Sequence, residues 1–229
     1  MARILFSGVA GVDMRGKLNG SVMSKNRGGA YVRTKVTPVN PQTTSQQAIR
    51  NRLSTNSAAW RGLTEPQRQA WIAAAINFPY TDIYGQTKTL SGQQLYVKLN
   101  NNLAMVGAAA ISSPPAPVAV PALALATVTA DDSSNTVIVA GTTPVPAGFA
   151  LVFRATGNVT PGKSFVKNLF RIVSISAAAA TSPYDISAGW VAKFGDPVLG
   201  NKVFIQAFFV SITTGQAGIP VQVQTIVVA

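Results

Sequence analysis

Hydrophobic spacing divides the chain into three regimes. Over the first forty residues apolar side chains come singly among cations and glycines, and Gly8, Gly11, Gly16, Gly20, Gly28 and Gly29 recur too often for a helix. Asn19-Gly20, flanked by Lys17-Leu18 and Ser21-Val22-Met23, is a two-residue hairpin-turn pattern. Ala30–Val36 alternates as a strand does, which puts Tyr31, Arg33 and Lys35 on one face.

The spacing then becomes helical. Asn40-Pro41 precedes a helix with Thr43 or Thr44 as N-cap and Gln46 or Gln47 completing a capping box. Its predicted inner face is Ile49, Leu53 and Trp60. Gly62 closes that helix, and Thr64 with Pro66 starts a second whose inner face is Ala70, Trp71, Ala74, Ala75 and Phe78, stopped by Pro79. Ser91 caps a third, lined by Leu95, Leu99, Leu103 and Val106 and closed by Gly107. The short joint between the first two predicts a helical hairpin with Trp60 and Trp71 in its core.

Past the connector Ser112–Pro117 the period falls to two and β-branched residues dominate. Candidate strands are Leu123–Thr129, Thr136–Ala140, Phe149–Ala155, Phe165–Ser176, Trp190–Phe194, Val203–Ile212 and Pro220–Val228. Seven short strands with turns between them predict an antiparallel β-sandwich of immunoglobulin or fibronectin III type, without the Cys-Trp-Cys pattern of true immunoglobulin domains. The fold class is therefore α+β: an extended Gly-rich arm with a hairpin over 1–40, a helical region over 41–113 and a β-sandwich over 114–229.

Composition narrows the chemistry. The 229 residues include no histidine and no cysteine, which removes Ser-His and Cys-His nucleophile pairs, Cys/His zinc sites and disulfides. Only 11% of residues are charged, where about 25% is ordinary, while 47% are hydrophobic. So few charges on so apolar a chain imply surface covered by partners, and no enzyme, cofactor, metal site or small-molecule substrate is expected. The longest uncharged stretch, 99–130, is broken by Pro114, Pro115, Pro117 and Pro121, so no membrane association is expected. No secretory leader pattern opens the chain, which favours synthesis in a cytosol.

The net charge of +12 is lopsided: residues 1–110 hold thirteen Lys/Arg against three carboxylates, the remainder six against four. Candidate interaction residues, for a subunit or a nucleic acid, are Arg15, Lys17, Lys25, Arg27, Tyr31, Arg33, Lys35, Arg50 and Arg52. Tyr31 among cations could stack on a base while Arg27, Arg33 and Lys35 neutralise phosphates. The plainer alternative is that these arginines meet carboxylates and carbonyls of a neighbouring subunit, or stay solvated.

Two other patterns are weaker. Gly157–Ser164 fits G-x-x-x-x-G-K-[ST], but Pro161 removes a backbone donor from the cradle and β-branched residues follow where a helix must begin. A β-turn carrying a surface lysine is the expected form. Asp131-Asp132 sits in a Ser/Asn-rich stretch and reads as a solvated turn rather than a calcium loop.

The run Gly16–Gly20, Gly28–Arg33, Asn40–Thr43, Gln46, Arg50, Trp60–Thr64 and Gln67–Trp71 resembles the N-terminal region of structural proteins from tailed bacteriophages and prophages. Pro146–Gly148, Ser164–Asn168 and Thr214–Gln216 resemble the sandwich that follows in such proteins. The resemblance implies a virion component of neck, tail or capsid, present in many copies, whose partners are other virion proteins and copies of itself, with possible contact to phage DNA. It carries over no catalytic residues. The alternative reading is a nucleic-acid-binding protein that uses the basic N-terminal half on DNA packaged in, or passing through, the particle.

Overall fold

The computed structural model describes all residues except 1, 2, 8, 9, 28, 83, 142, 143, 177 and 178, and of residues 3–7, 10–14 and 126 the backbone alone. Gly8 and Gly28, two of the glycines behind the extended-arm expectation, lie outside the described residues. The chain is mixed α and β, and it divides into two compact units, 1–47 and 48–229.

The first unit is a four-stranded antiparallel meander in sequence order: β1 (Arg3–Ser7), β2 (Ala10–Leu18), β3 (Ser21–Asn26) and β4 (Gly29–Thr34). The expected turn joins β2 to β3, where Asn19 holds φ at 48°, the positive angle such tight hairpins require at their first position. Lys35 N–H continues the β3–β4 ladder by donating to Gly20 O at 2.7 Å.

Helix α1 (Thr44–Gly62) starts at Thr43, whose hydroxyl accepts from Gln46 N–H at 3.3 Å. Its inner stripe is not the expected one. Ile49 and Leu53 are each 56% exposed, whereas Arg52, Asn56 and Trp60, spaced by four, turn inward and Asn56 is buried. Leu63 and Trp60 fix which side of the helix meets the core, and Ile49 and Leu53 lie off that side.

Helix α2 (Glu65–Ala74) has Thr64 and Gln67 as its capping box, and α3 (Gly92–Met105) has Ser91 and Gln94. Trp71 is fully buried and meets Tyr96 edge-on at 5.3 Å, with Trp60 tilted against the same ring at 5.5 Å. Ala75 and Phe78 are buried as expected, in and just after a 3-10 turn over Ala75–Asn77, but Ala70 faces solvent. Gly92 lets α3 approach α2, since a Cβ there would lie 2.8 Å from Ile72 N. Between α2 and α3 the short strands β5 (Tyr80–Thr81) and β6 (Thr87–Lys88) form a small hairpin.

Seven strands follow: β7 (Leu125–Asp131), β8 (Thr136–Gly141), β9 (Phe149–Ala155), β10 (Arg171–Ser176), β11 (Tyr184–Asp185), β12 (Lys202–Ser211) and β13 (Val221–Ile226). They form two antiparallel sheets, ordered β10-β9-β12-β13 and β11-β8-β7. One core contains inward residues of both, among them Val137, Val139, Leu151, Phe153, Ile205 and Phe209. The sheets also meet at one edge, where Val228 N–H donates to Ala130 O at 2.9 Å.

Two strand expectations need correction. Trp190–Phe194 belongs to helix α4 (Ser187–Phe194), because Ile186, Trp190 and Phe194 recur every four residues and all three pack into the core. Gly189 makes that packing possible: a Cβ there would stand 2.0 Å from Val173 O. Of Phe165–Ser176 only Arg171–Ser176 is strand. The preceding residues form turns in which Val166, Leu169 and Phe170 cover Phe204 on the outer face of the sheet.

Helix α3 packs on that outer face through Met105 and Val106, against Val152, Phe208 and Val210. Asn102 Nδ2 donates to Gly215 O at 2.8 Å, and Gly215, at φ 73°, sits so close that a Cβ would lie 2.3 Å from Leu99 O. The start of the Pro-rich connector is held by Trp71 Nε1, which donates to Ser112 O at 2.8 Å.

Candidate interaction surface

In an antiparallel sheet directly paired residues share a face, so register decides which cations act together. Lys17 pairs with Val22, and Val22 with Arg33. Tyr31 pairs with Ser24, two residues from Val22 and so on the same side. Lys35, opposite Gly20, continues the row. Lys17, Tyr31, Arg33 and Lys35 therefore occupy one face of the meander, all exposed, with Ser24 and Val22 between them.

The opposite face differs. Gly16 pairs with Met23 and Met23 with Val32, and Leu18 lies two residues beyond Gly16. Leu18 and Val32 are 53% and 60% exposed. Lys25, paired with Ala30, belongs to this apolar side and is separated from the other cations. Sequence reading missed this second face. Its trace is the alternation of Leu18 with Lys17 and of Val32 with Tyr31 and Arg33, which a cation count passes over.

Arg15 lies two residues before Lys17 on β2, so alternation places it on the basic side as well, opposite Arg3 in the β1–β2 pair. The remaining candidates are dispersed: Arg27 follows β3 in the turn toward β4. Arg50 and Arg52 are on α1, two positions apart and thus about 200° around the helix from each other, and only Arg52 is on the inward stripe.

Elsewhere the polar groups serve local structure. Pro161-Gly162 is a turn in which Lys163 N–H donates to Thr160 O at 3.0 Å, and Lys163 is exposed. The next helix, α4, begins only at Ser187, so no helix N-terminus stands at the lysine. Asp131 Oδ1 accepts from Ser133 Oγ at 2.7 Å and from Ser134 N–H at 3.0 Å, and these bonds hold its carboxyl below the usual carboxylate range. Asp82 is held low chiefly by Lys88, 2.6 Å away, and by the amides of Gln86 and Tyr84, which together fix the β5–β6 turn. Asp185 is held low by the hydroxyl and amide of Ser187, at 2.5 and 2.9 Å. Arg154 lies over the Phe208 ring at 4.7 Å, and burial lowers its guanidinium's proton affinity.

Among the described residues no three His, Cys, Asp or Glu side chains converge as metal ligands would, and no helix is long and apolar enough to cross a membrane. A cleft of about 290 Å3 lies where the helices meet the sheet, lined by Phe78, Pro79, Leu95 and Leu99 on one side and Val118, Val120 and Gln216 on the other. Gln216 Oε1 is engaged by Val118 N–H at 2.6 Å. Asn77 and Lys98 also line it, so the cleft holds one cation and no convergent charged pair. Comparison with family models, with curated proteins and with solved structures finds no match to this chain.

Proposed function

We propose that this chain is a structural subunit of a tailed-bacteriophage particle, built into neck, tail or capsid through contacts its N-terminal unit makes with neighbouring subunits. One observation carries the reading: no described side chain between 15 and 47 is buried. Strands β3 and β4, with no buried side chain among those described, lack the apolar burial that offsets the entropy of ordering them. A neighbouring subunit laid on Leu18, Met23 and Val32 supplies that burial, and the exposed Ile49 and Leu53 of α1 offer a second apolar contact.

The strand order of the second unit supports reading its two sheets as an immunoglobulin or fibronectin III sandwich, with β7, β8 and β11 facing β10, β9, β12 and β13. Such sandwiches serve as rigid modules in repeated assemblies. The absence of histidine and cysteine from the whole sequence agrees with a role in assembly rather than turnover.

Limited trypsin digestion of the purified chain and of intact particles tests the proposal. The isolated chain loses residues 1–40 early, because their many Lys-X and Arg-X bonds lack burial, while the assembled chain resists. Full protection of this segment in a verified monomer, or failure of an antibody to the chain to label particles in electron micrographs, overturns it.

A further inference from the structure

The two faces of the meander ask for different partners. The apolar face suits another subunit. The basic face does not suit a second copy of this chain, and the reason is arithmetic. Residues 1–47 hold seven Lys/Arg and one Asp, 7 − 1 = +6, while the whole sequence has only seven carboxylates. Four of those are engaged at home: Glu65 with Arg68, Asp82 with Lys88, Asp131 with the Ser133-Ser134 turn and Asp185 with Ser187. A second copy is itself net positive and has too few free carboxylates to neutralise such a face.

We propose that the face carrying Lys17, Tyr31, Arg33 and Lys35 binds a single strand of nucleic acid, its phosphates on the three cations and a base stacked on Tyr31. Same-face residues along β4 stand about 7 Å apart and neighbouring strands about 4.8 Å apart, so Lys17, Arg33 and Lys35 form a track with Tyr31 at its end, beside Arg33. An extended sheet face with an exposed aromatic among cations is the arrangement by which single strands are held without base readout. Ser24, paired with Tyr31, adds a hydroxyl to the same face. An acidic protein would use the cations but leave the 40% exposed Tyr31 ring without a role. The opposite, apolar face stays available for a subunit, so this inference goes beyond the assembly proposal and can fail independently of it.

The test is fluorescence anisotropy with the full chain against a labelled random single strand of about 20 nucleotides, long enough for one site, its duplex, and poly-glutamate. Single-strand binding is expected with a log-log salt slope near −2, about −0.7 for each of three phosphates. Replacing Lys17, Arg33 and Lys35 by Gln together should flatten the slope and weaken binding at least about tenfold at low salt. The charge-conserving set Lys17→Arg, Arg33→Lys and Lys35→Arg should restore both, which separates lost charge from lost fold. Tyr31→Ala should weaken single-strand binding about 5- to 100-fold, the worth of one stacked base, without altering the salt slope. Poly-glutamate binding as tight as the single strand, a Tyr31→Ala variant of unchanged affinity, or no binding at low salt would each overturn the proposal.

Discussion

Gly189 and Gly215 stand where two elements touch backbone to backbone, and neither leaves space for a methyl group. At Gly189 an added Cβ would lie 2.0 Å from Val173 O, and at Gly215 2.3 Å from Leu99 O, with φ already at 73°. Overpacking and the left-handed penalty act together at Gly215, so Gly215→Ala should destabilise the protein by about 2–4 kcal/mol. Gly162 offers the internal comparison, since nothing lies within 4 Å of a Cβ there. Gly162→Ala, like Lys163→Ala in the adjacent turn, should stay within about 0.5 kcal/mol of the parent. Urea midpoints at constant slope would decide between these values. The carboxylates carry a second prediction. Asp82, Asp131 and Asp185 all have their proton affinity lowered in the fold by the bonds they accept. Their contribution is therefore present above the ordinary aspartate value, about 4, and disappears as pH falls through the lower folded values. Stability should be level from neutral pH to about 5 and decline below about 4. Asp82→Asn should reduce that acid slope, and an unchanged slope in this variant would remove the Lys88 pair as its source.

At the scale of elements the legible parts are those whose signal is local. The caps Thr43, Thr64 and Ser91, the turn at Asn19-Gly20 and the helix stop at Gly107 depend on a few adjacent residues, and each stands where the residue types predict. Strands β8, β9 and β12 follow from β-branched and aromatic runs bounded by turn residues. The failures are elements whose local pattern admits two periods. Trp190, Ala192 and Phe194 alternate as a strand, yet Ile186, Trp190 and Phe194 also repeat every four residues, and packing into one core selects the helix. On α1 the apolar spacing of Ile49 and Leu53 is helical as the pattern predicts, but which side meets the core is decided by Trp60, held against Tyr96 of α3. The two-faced meander was half legible: alternation grouped Tyr31, Arg33 and Lys35, while the addition of Lys17 and the removal of Lys25 require the register. These elements yield a prediction. Trp190 is fully buried, meets Phe194 at 5.6 Å and donates from Nε1 to Thr156 O at 2.8 Å. Trp190→Ala should cost about 3–5 kcal/mol. The paired change Ile49→Gln and Leu53→Gln should leave monomer stability within about 0.5 kcal/mol, because both side chains already face water. If the latter pair lowers stability as much as a core substitution does, α1 is covered within the monomer and its exposed flank is no contact surface.

For the molecule as a whole, charge and burial are partitioned in opposite directions. The segment 1–47 has half of the net charge, +6 of +12, and no buried side chain among those described, whereas every described buried residue lies in 48–229. On the assembly proposal, stability and association reside in different parts of one chain, and a truncation can separate them. Removing residues 1–40 deletes the whole meander and keeps Thr43, so the cap of α1 survives. Because no described side chain of the deleted part belongs to the cores around Trp71 and Trp190, the thermal midpoint should move by no more than a few degrees, the equivalent of about 1 kcal/mol or less. Self-association in sedimentation velocity, or incorporation into particles, should be lost. The opposite pair of results, an unfolded truncation that still assembles, would mean that the meander is part of the folding unit and that the contact surface lies elsewhere. A truncation that folds but does not assemble leaves one explanation for an exposed, cation-rich meander: the burial its fold lacks comes from the neighbours it binds.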